Sequence, residues 1–254
     1  MNILTSREGA VLTIEFDRPQ RCNALTAEMY STLAEAVRAG EADEAVRVML
    51  FRGKADVFTA GNDVEDFIER PPVGPDTPVF RFLSTVAHAT KPLVAAVNGP
   101  AVGIGTTLLF HCDLVYAGDN ARFQMPFTSL GLVPEFASSY LLPLIAGYRR
   151  AAELLLLGEP FDAQKAFDAG IVTKVLPAGD TFEAAAQAAA KLATLPPESI
   201  RLTKALIKEG HADAIDKRLQ KEGDHFRRML GKPAAREAMR AFMEKRKPDF
   251  SKEK

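Results

Sequence analysis

Leu93-Val94-Ala95-Ala96-Val97-Asn98-Gly99-Pro100-Ala101-Val102-Gly103-Ile104-Gly105-Thr106-Thr107-Leu108-Leu109-Phe110 is the stretch on which the reading of this chain turns. An apolar strand-like run meets a glycine loop, and the loop leads into a second apolar run of helical character. No Asp, Glu, Lys or Arg stands between Lys91 and Asp113, so the reactive equipment of the segment is its backbone. The first amides of a helix lack internal partners and sit at the positive end of its dipole, so a glycine loop that bares them suits negative charge. A phosphate-binding P-loop is excluded, because Ile104 and Leu108 stand where it needs its second glycine, counted from Gly99 and Gly103. The dinucleotide fingerprint on Gly103 and Gly105 fails as well, since its third glycine would fall on Leu108. A transient oxyanion held by amides in a dry pocket needs no neighbouring lysine. The plain structural reading of the same residues is a tight turn between a buried strand and a buried helix.

Outward from this segment, short apolar runs alternate with amphipathic ones. Val11–Phe16 and Val48–Phe51 read as strands, and Thr26–Ala39, with Thr26 as cap and Gly40 as stop, reads as the helix between them. The beat recurs at Val57–Thr59 with a helix from about Asp63, and at Leu93–Val97 with the helix at Ile104. This alternation predicts an α/β fold. After Leu156 the texture changes. Ala163–Asp168, Phe182–Leu192, Ile200–Lys208, Ala214–Leu230 and Ala234–Lys245 are helical in pattern, and Ile171–Val175 is the one strand signal. Pro196-Pro197 marks the expected boundary between a core of residues 1–195 and a helical region of residues 196–254, which is too short to bury its own apolar faces. Pro71–Asp76 reads as a stiff surface loop.

Composition excludes several classes. The 254 residues are 47% hydrophobic and 26% charged, with a net charge of −1 and a pI near 6.5. That balance argues against nucleic acid as a bulk partner. Cys22 and Cys112 have neither metal-ligand spacing nor a disulfide pattern, and His88, His111, His211 and His225 lack ligand spacing, so no metal is expected. Adjacent side chains diverge, so His111-Cys112-Asp113 reads as structural. The N-terminus shows no signal pattern, and Asn98, Pro100 and three glycines break the uncharged run, so no membrane span is expected. The chain ends in Ser251-Lys252-Glu253-Lys254 instead of a Ser-Lys-Leu address, so a cytoplasmic location is expected.

Two further stretches carry chemistry. At Phe58-Thr59-Ala60-Gly61-Asn62-Asp63 a strand again meets a helix start, with Asp63 as its N-cap and small residues that let a ligand approach the backbone. Were this turn to face Ile104, two amides from separate junctions could bind one oxygen. Leu130-Gly131-Leu132-Val133-Pro134-Glu135-Phe136-Ala137 sets one carboxylate in an apolar run, where desolvation would raise its proton affinity. Glu135 is the candidate base. Its structural alternative is a solvated glutamate at a helix start.

Asp17-Arg18-Pro19-Gln20-Arg21-Cys22-Asn23-Ala24-Leu25, then Phe58–Asp63, then Ala95–Gly105, resembles the crotonase, or enoyl-CoA hydratase/isomerase, superfamily. The resemblance covers roughly residues 1–195 in order. It implies a spiral of ββα units with a C-terminal helical oligomerisation region, trimers or dimers of trimers, and an acyl-CoA thioester as substrate, with CoA part of the substrate and no separate cofactor. The thioester oxygen would accept from the amides of Asn62 and Ile104. Arg21, with the backbone at Cys22 and Ala24, would meet the nucleotide end of CoA. Ala60, Gly61, Asn62, Asp63 and Val64 would line the pantetheine, and Lys245 would add a phosphate contact. The family's hydratases carry two glutamates at positions matching Thr107 and Phe127, neither of which is a carboxylate here. Leu132–Tyr140, with Glu135, is more similar to the Δ3,Δ2-enoyl-CoA isomerases of the peroxisomal type. The resemblance therefore implies an isomerase of lipid metabolism, with Glu135 carrying a proton from C2 to C4. Another crotonase reaction on an acyl-CoA, such as hydration, hydrolysis or dehalogenation, and a silent acyl-CoA-binding subunit are the rival functions.

Overall fold

The computed structural model describes residues 2–54, 56–72, 74 and 76–251. Its spine is a six-stranded sheet in the order β1-β2-β3-β4-β6-β9. The elements run β1 (Ile3–Glu8), β2 (Val11–Phe16), α1 (Ala27–Ala42), β3 (Val48–Gly53), α2 (Val64–Glu69), α3 (Pro78–Ala87), β4 (Leu93–Val97), β5 (Pro100–Val102), α4 (Ile104–Thr107), β6 (Leu114–Gly118), β7 (Arg122–Gln124), α5 (Ser138–Ala146), α6 (Tyr148–Ala152), β8 (Phe161–Asp162), α7 (Ala163–Asp168), β9 (Lys174–Leu176), α8 (Thr181–Thr194), α9 (Pro197–Glu209), α10 (Ala212–Leu230) and α11 (Pro233–Met243). β1 pairs antiparallel with β2, and every other pairing in this sheet is parallel. A smaller sheet has the order β5-β7-β8.

β4 shows why the quoted stretch decides the fold. All five of its residues are buried, as a central parallel strand covered on both faces requires. Leu93, Ala95 and Val97 point into the main core. Val94 and Ala96 face the opposite layer, where Ala185, Ala189 and Ala193 of α8 cover them. Three alanines at four-residue spacing make a smooth stripe, so α8 lies close against the sheet.

The expected α/β class and ββα beat are present, with differences in detail. Thr26 caps α1, its side chain accepting from the Met29 amide, but Gly40 does not stop that helix. It lies within α1 because a Cβ there would come 2.7 Å from Met49 Sδ: the glycine serves helix-to-sheet contact. β1 is absent from the pattern because five of its six residues are exposed, leaving no alternation to read. Val57–Thr59 forms only an isolated bridge, Thr59 to Ala101. The helix at Ile104 lasts four residues before tightening into a 3-10 turn at Leu108–His111. The last strand falls at Lys174–Leu176 instead of Ile171–Val175. Within the Pro71–Asp76 loop, Val73 and Pro75 lie outside the described residues, as do Lys252–Lys254 of the tail.

Pro196 and Pro197 open α9, as N-cap and first residue, where a missing amide costs nothing. The helices beyond fold back onto the core: Ile215, Phe226 and Ala235 join the main cluster. Lys204 buries its ammonium against Asp113 Oδ2 and Lys91 O, 2.8 Å from each. No helix among the described residues is long and apolar enough to cross a membrane.

Candidate active site

The Asn62 and Ile104 turns are stitched side by side by backbone. Thr59 N donates to Pro100 O and Val102 N to Thr59 O, each at 2.9 Å, so residues 59–62 run parallel to 100–103. Gly61, at φ +86°, backs onto this neighbour so closely that a Cβ would meet Val102 O at 2.7 Å. Gly103 combines φ +57° with ψ −117°, a combination open to glycine alone. That turn aims the start of α4. Among the described residues, the amides of Asn62 and Ile104 donate to no acceptor. Each is therefore an unspent donor at a strand-to-helix junction.

The loop before α1 locks onto this pair. Asn23, fully buried, donates from Nδ2 to Val57 O at 2.6 Å and accepts from Arg18 N at 2.8 Å. Arg18 reaches Asp63 Oδ2 at 2.6 Å and Ala24 O at 2.8 Å. Asp63 caps α2 as expected, accepting from the Glu65 and Asp66 amides at 3.1 Å. Burial would raise its proton affinity, but the Arg18 bond and the helix amides outweigh that and hold Asp63 below the usual range.

Glu135 is 8% exposed, so the solvated alternative does not describe it. Thr107 Oγ1, one turn beyond Ile104, donates to its Oε1 at 2.5 Å. Burial, opposed by the Thr107 bond and reinforced by Glu222, pushes the Glu135 carboxyl up to about 8. The backbone then turns through two left-handed residues, Phe136 (φ +61°) and Ala137 (φ +56°), at about 1–2 kcal/mol each. His111 holds this turn: its Nε2 donates to Phe136 O at 2.8 Å and its ring stacks on Phe136 with centroids 4.0 Å apart. Burial drives His111 down to about 3, so it is a neutral strut, consistent with its structural reading. Tyr30, 1% exposed, completes the cluster from α1. Its hydroxyl donates to Asn62 Oδ1 at 2.5 Å, and burial followed by the neighbouring Glu135 charge raises its proton affinity.

The structure thus gathers Asn62, Ile104 and Glu135, linked through Tyr30 and Thr107. Ala60, Gly61, Asp63 and Val64 border the same turn. Arg21 stands farther out, half-exposed, with Nη2 2.5 Å from Glu65 Oε2. The amides of Cys22 and Ala24 are spent on Pro19 O and Arg21 O, and their carbonyls already accept from Ala60 N and Arg18 Nη1. Lys245 lies exposed, two residues past the end of α11, so it is not on the helix where the sequence pattern put it. Nothing among the described residues ties it to the cluster. Sequence reading missed Tyr30, Arg18 and Glu222 as contributors, and took Thr107 only as the place where a hydratase glutamate is lacking; each gains its role through a partner at least 28 residues away.

The buried glutamates bear on stability. Glu135 and Glu222 ionise at about 8 and about 7 in the folded chain and near 4.5 when free. The unfolded state therefore loses these protons first, so stability from both is intact below about pH 4.5 and declines as pH rises toward about 8. Tm should fall between about pH 5 and pH 8.5, and calorimetry should find a shallower fall in Glu135→Gln.

Residues 6–253 match the family model described as enoyl-CoA hydratase/isomerase. The enoyl-CoA delta isomerase 2 of Rattus norvegicus is 40% identical over 220 residues, covering 84% of this chain and 56% of that protein. The chain thus spans little more than half the length of that relative. The 1,2-epoxyphenylacetyl-CoA isomerase of Escherichia coli (strain K12) is 36% identical over 258 residues, covering 98% of each chain. Among solved structures, OdaA of Pseudomonas aeruginosa superposes with a TM-score of 0.93 at 46% identity, covering 95% of this chain and 98% of that one.

Proposed function

Because the chain belongs to the enoyl-CoA hydratase/isomerase family, we propose that it moves the double bond of a 3-enoyl-CoA into conjugation, giving the 2-enoyl-CoA. The observation that carries this reading is the buried carboxyl of Glu135, held by Thr107 one turn beyond the unspent amide of Ile104. The amides of Asn62 and Ile104 hydrogen-bond the thioester oxygen and acidify the α-carbon. Glu135 takes a proton from C2, the charge delocalises as a dienolate onto that oxygen, and the same carboxyl returns the proton at C4. No water is consumed.

The hydratase pattern is disfavoured at the residue level. Thr107, where a hydratase would have a glutamate, is a neutral hydroxyl already donating to Glu135. The second matching position is the buried ring of Phe127. Incubation with 3-hexenoyl-CoA and, separately, 2-hexenoyl-CoA tests the proposal. Migration of the double bond is expected with the first and no water addition with the second; hydration without migration would overturn it. The base must be ionised to act, so kcat/KM should rise with pH to a plateau above about 8, the midpoint of Glu135.

A trimeric assembly, or a dimer of trimers, belongs to the same proposal. Leu202 (57% exposed), Leu206 (71%) and Ile207 (72%) form a bare apolar face on α9, a surface that suits burial in an interface. Sedimentation velocity should find a trimer or hexamer, and Leu206→Asp should shift it toward monomer.

A further inference from the structure

Three carboxylates are buried among the described residues: Asp63, Glu135 and Glu222. Asp63 has Arg18 as its ion-pair partner, and Glu135 belongs to the site above. Glu222 is unexplained. It projects from α10, is 5% exposed, and accepts from the Ser139 amide in the first turn of α5 through Oε1 at 2.9 Å. Its Oε2 is buried with no hydrogen-bond partner among the described residues. Arg218, one turn earlier on α10, gives its guanidinium to Ser139 Oγ at 3.1 Å instead of to the carboxylate.

A purely mechanical tie between α10 and α5 needs only an acceptor, which a glutamine would supply. A buried carboxylate with no ion pair is a costly way to hold one turn of a helix. What the carboxylate adds is negative charge at the turn that carries Glu135, whose own carbonyl accepts from Ser138 N at 3.1 Å. We propose that Glu222 is a positioning residue for Glu135: through Ser139 it fixes the first turn of α5, and it sets a second carboxylate beside the turn that carries Glu135. The inference rests on the reading of Glu135 as proton carrier and deepens it.

The electrostatics agree. Burial, eased by bonds from Ser139 and the Ala137 backbone and by the Arg218 charge, pushes Glu222 up to about 7, and burial pushes Glu135 up to about 8. An ionised Glu222 adds to that rise in the proton affinity of Glu135. The other titratable groups nearby have partners of their own. From α5, Tyr140 bonds His211 at 3.0 Å; on α3, His88 pairs with Asp216; α11's Glu237 is held by Arg246; and Arg227 of α10 pairs with Asp224 and lies over Phe80 of α3. A base with an affinity raised toward working pH suits both halves of a proton shuttle, since the carboxyl must take the proton and then give it back.

The test is a carbon-13 NMR titration of the Glu135 carboxyl carbon in the free, full-length protein, the resonance being assigned by its loss in Glu135→Gln. In Glu222→Gln, which keeps the acceptor for Ser139 and removes the charge, the Glu135 midpoint should fall by roughly one pH unit. The acid limb of kcat/KM should move with it. Glu222→Asp, which keeps a charge, should return the midpoint toward wild type. A folded Glu222→Gln whose midpoint is unchanged overturns the inference. Should that variant not fold, the wild-type curve decides, because coupled carboxyls give two inflections and a single-step curve rejects the coupling. Full isomerase activity in Glu135→Gln would remove the proposed function instead, a result distinct from either titration outcome.

Discussion

Glu135→Gln is expected to lower kcat/KM for 3-enoyl-CoA isomerisation by ~10²–10⁴-fold, the usual contribution of a positioned acid–base group. That corresponds to about 3–5 kcal/mol of barrier. The substitution preserves shape, and the amide oxygen can still accept from Thr107 Oγ1, now 2.5 Å from Glu135 Oε1. It also removes a carboxyl that burial penalises once ionised, so Tm at about pH 8 should be equal to or above that of wild type. Saturable acyl-CoA binding by calorimetry should persist while turnover is lost. A variant within tenfold of wild type would show that the proton travels by another route.

Ile104→Pro is expected to lower kcat by ~10²–10³-fold, the cost of one oxyanion donor. Proline at the first position of a helix is tolerated because that amide has no internal partner, so the change deletes the N–H and leaves α4 able to form. Ile104 is 3% exposed, and loss of its side chain must be separated from loss of the donor. Ile104→Val provides the comparison: it should cost about 0.5–1.5 kcal/mol of stability and leave the rate within a few-fold. Equal rates in the two variants would place the oxyanion donor elsewhere. The contrast isolates backbone chemistry, because the two variants differ chiefly in one N–H.

The parts legible in sequence share a physical character: they are local. β4 is readable because its five apolar residues, rich in Val and closed by Asn98-Gly99-Pro100, suit a short strand buried on both faces. Thr26 and Asp63 are readable as caps because their acceptors serve amides two or three residues ahead. α7 falls at Ala163–Asp168, as its periodicity predicts. Family membership is also legible, because its three motifs are short and ordered. Where local rules compete with packing, reading fails. Gly40 has the sequence signature of a helix end, yet the tight approach of Met49 puts it inside α1. β1 has almost no buried face, so its pairing with β2 leaves no trace in the pattern.

From its residues alone the chain is determined to be an α/β protein of this family with one carboxylate, Glu135, in an apolar run and glycines at two strand-to-helix junctions. The tertiary structure alone decides that the two junctions lie together and that Tyr30 and Thr107 bond their members. It also decides that a glutamate from α10 is buried against the turn that follows Glu135. The reason is range. Propensity, capping and periodicity act within a few residues. The environment of a buried carboxyl is set by groups 28 residues away for Thr107 and 83 for the Ser139–Glu222 tie, distances that only the packed chain closes.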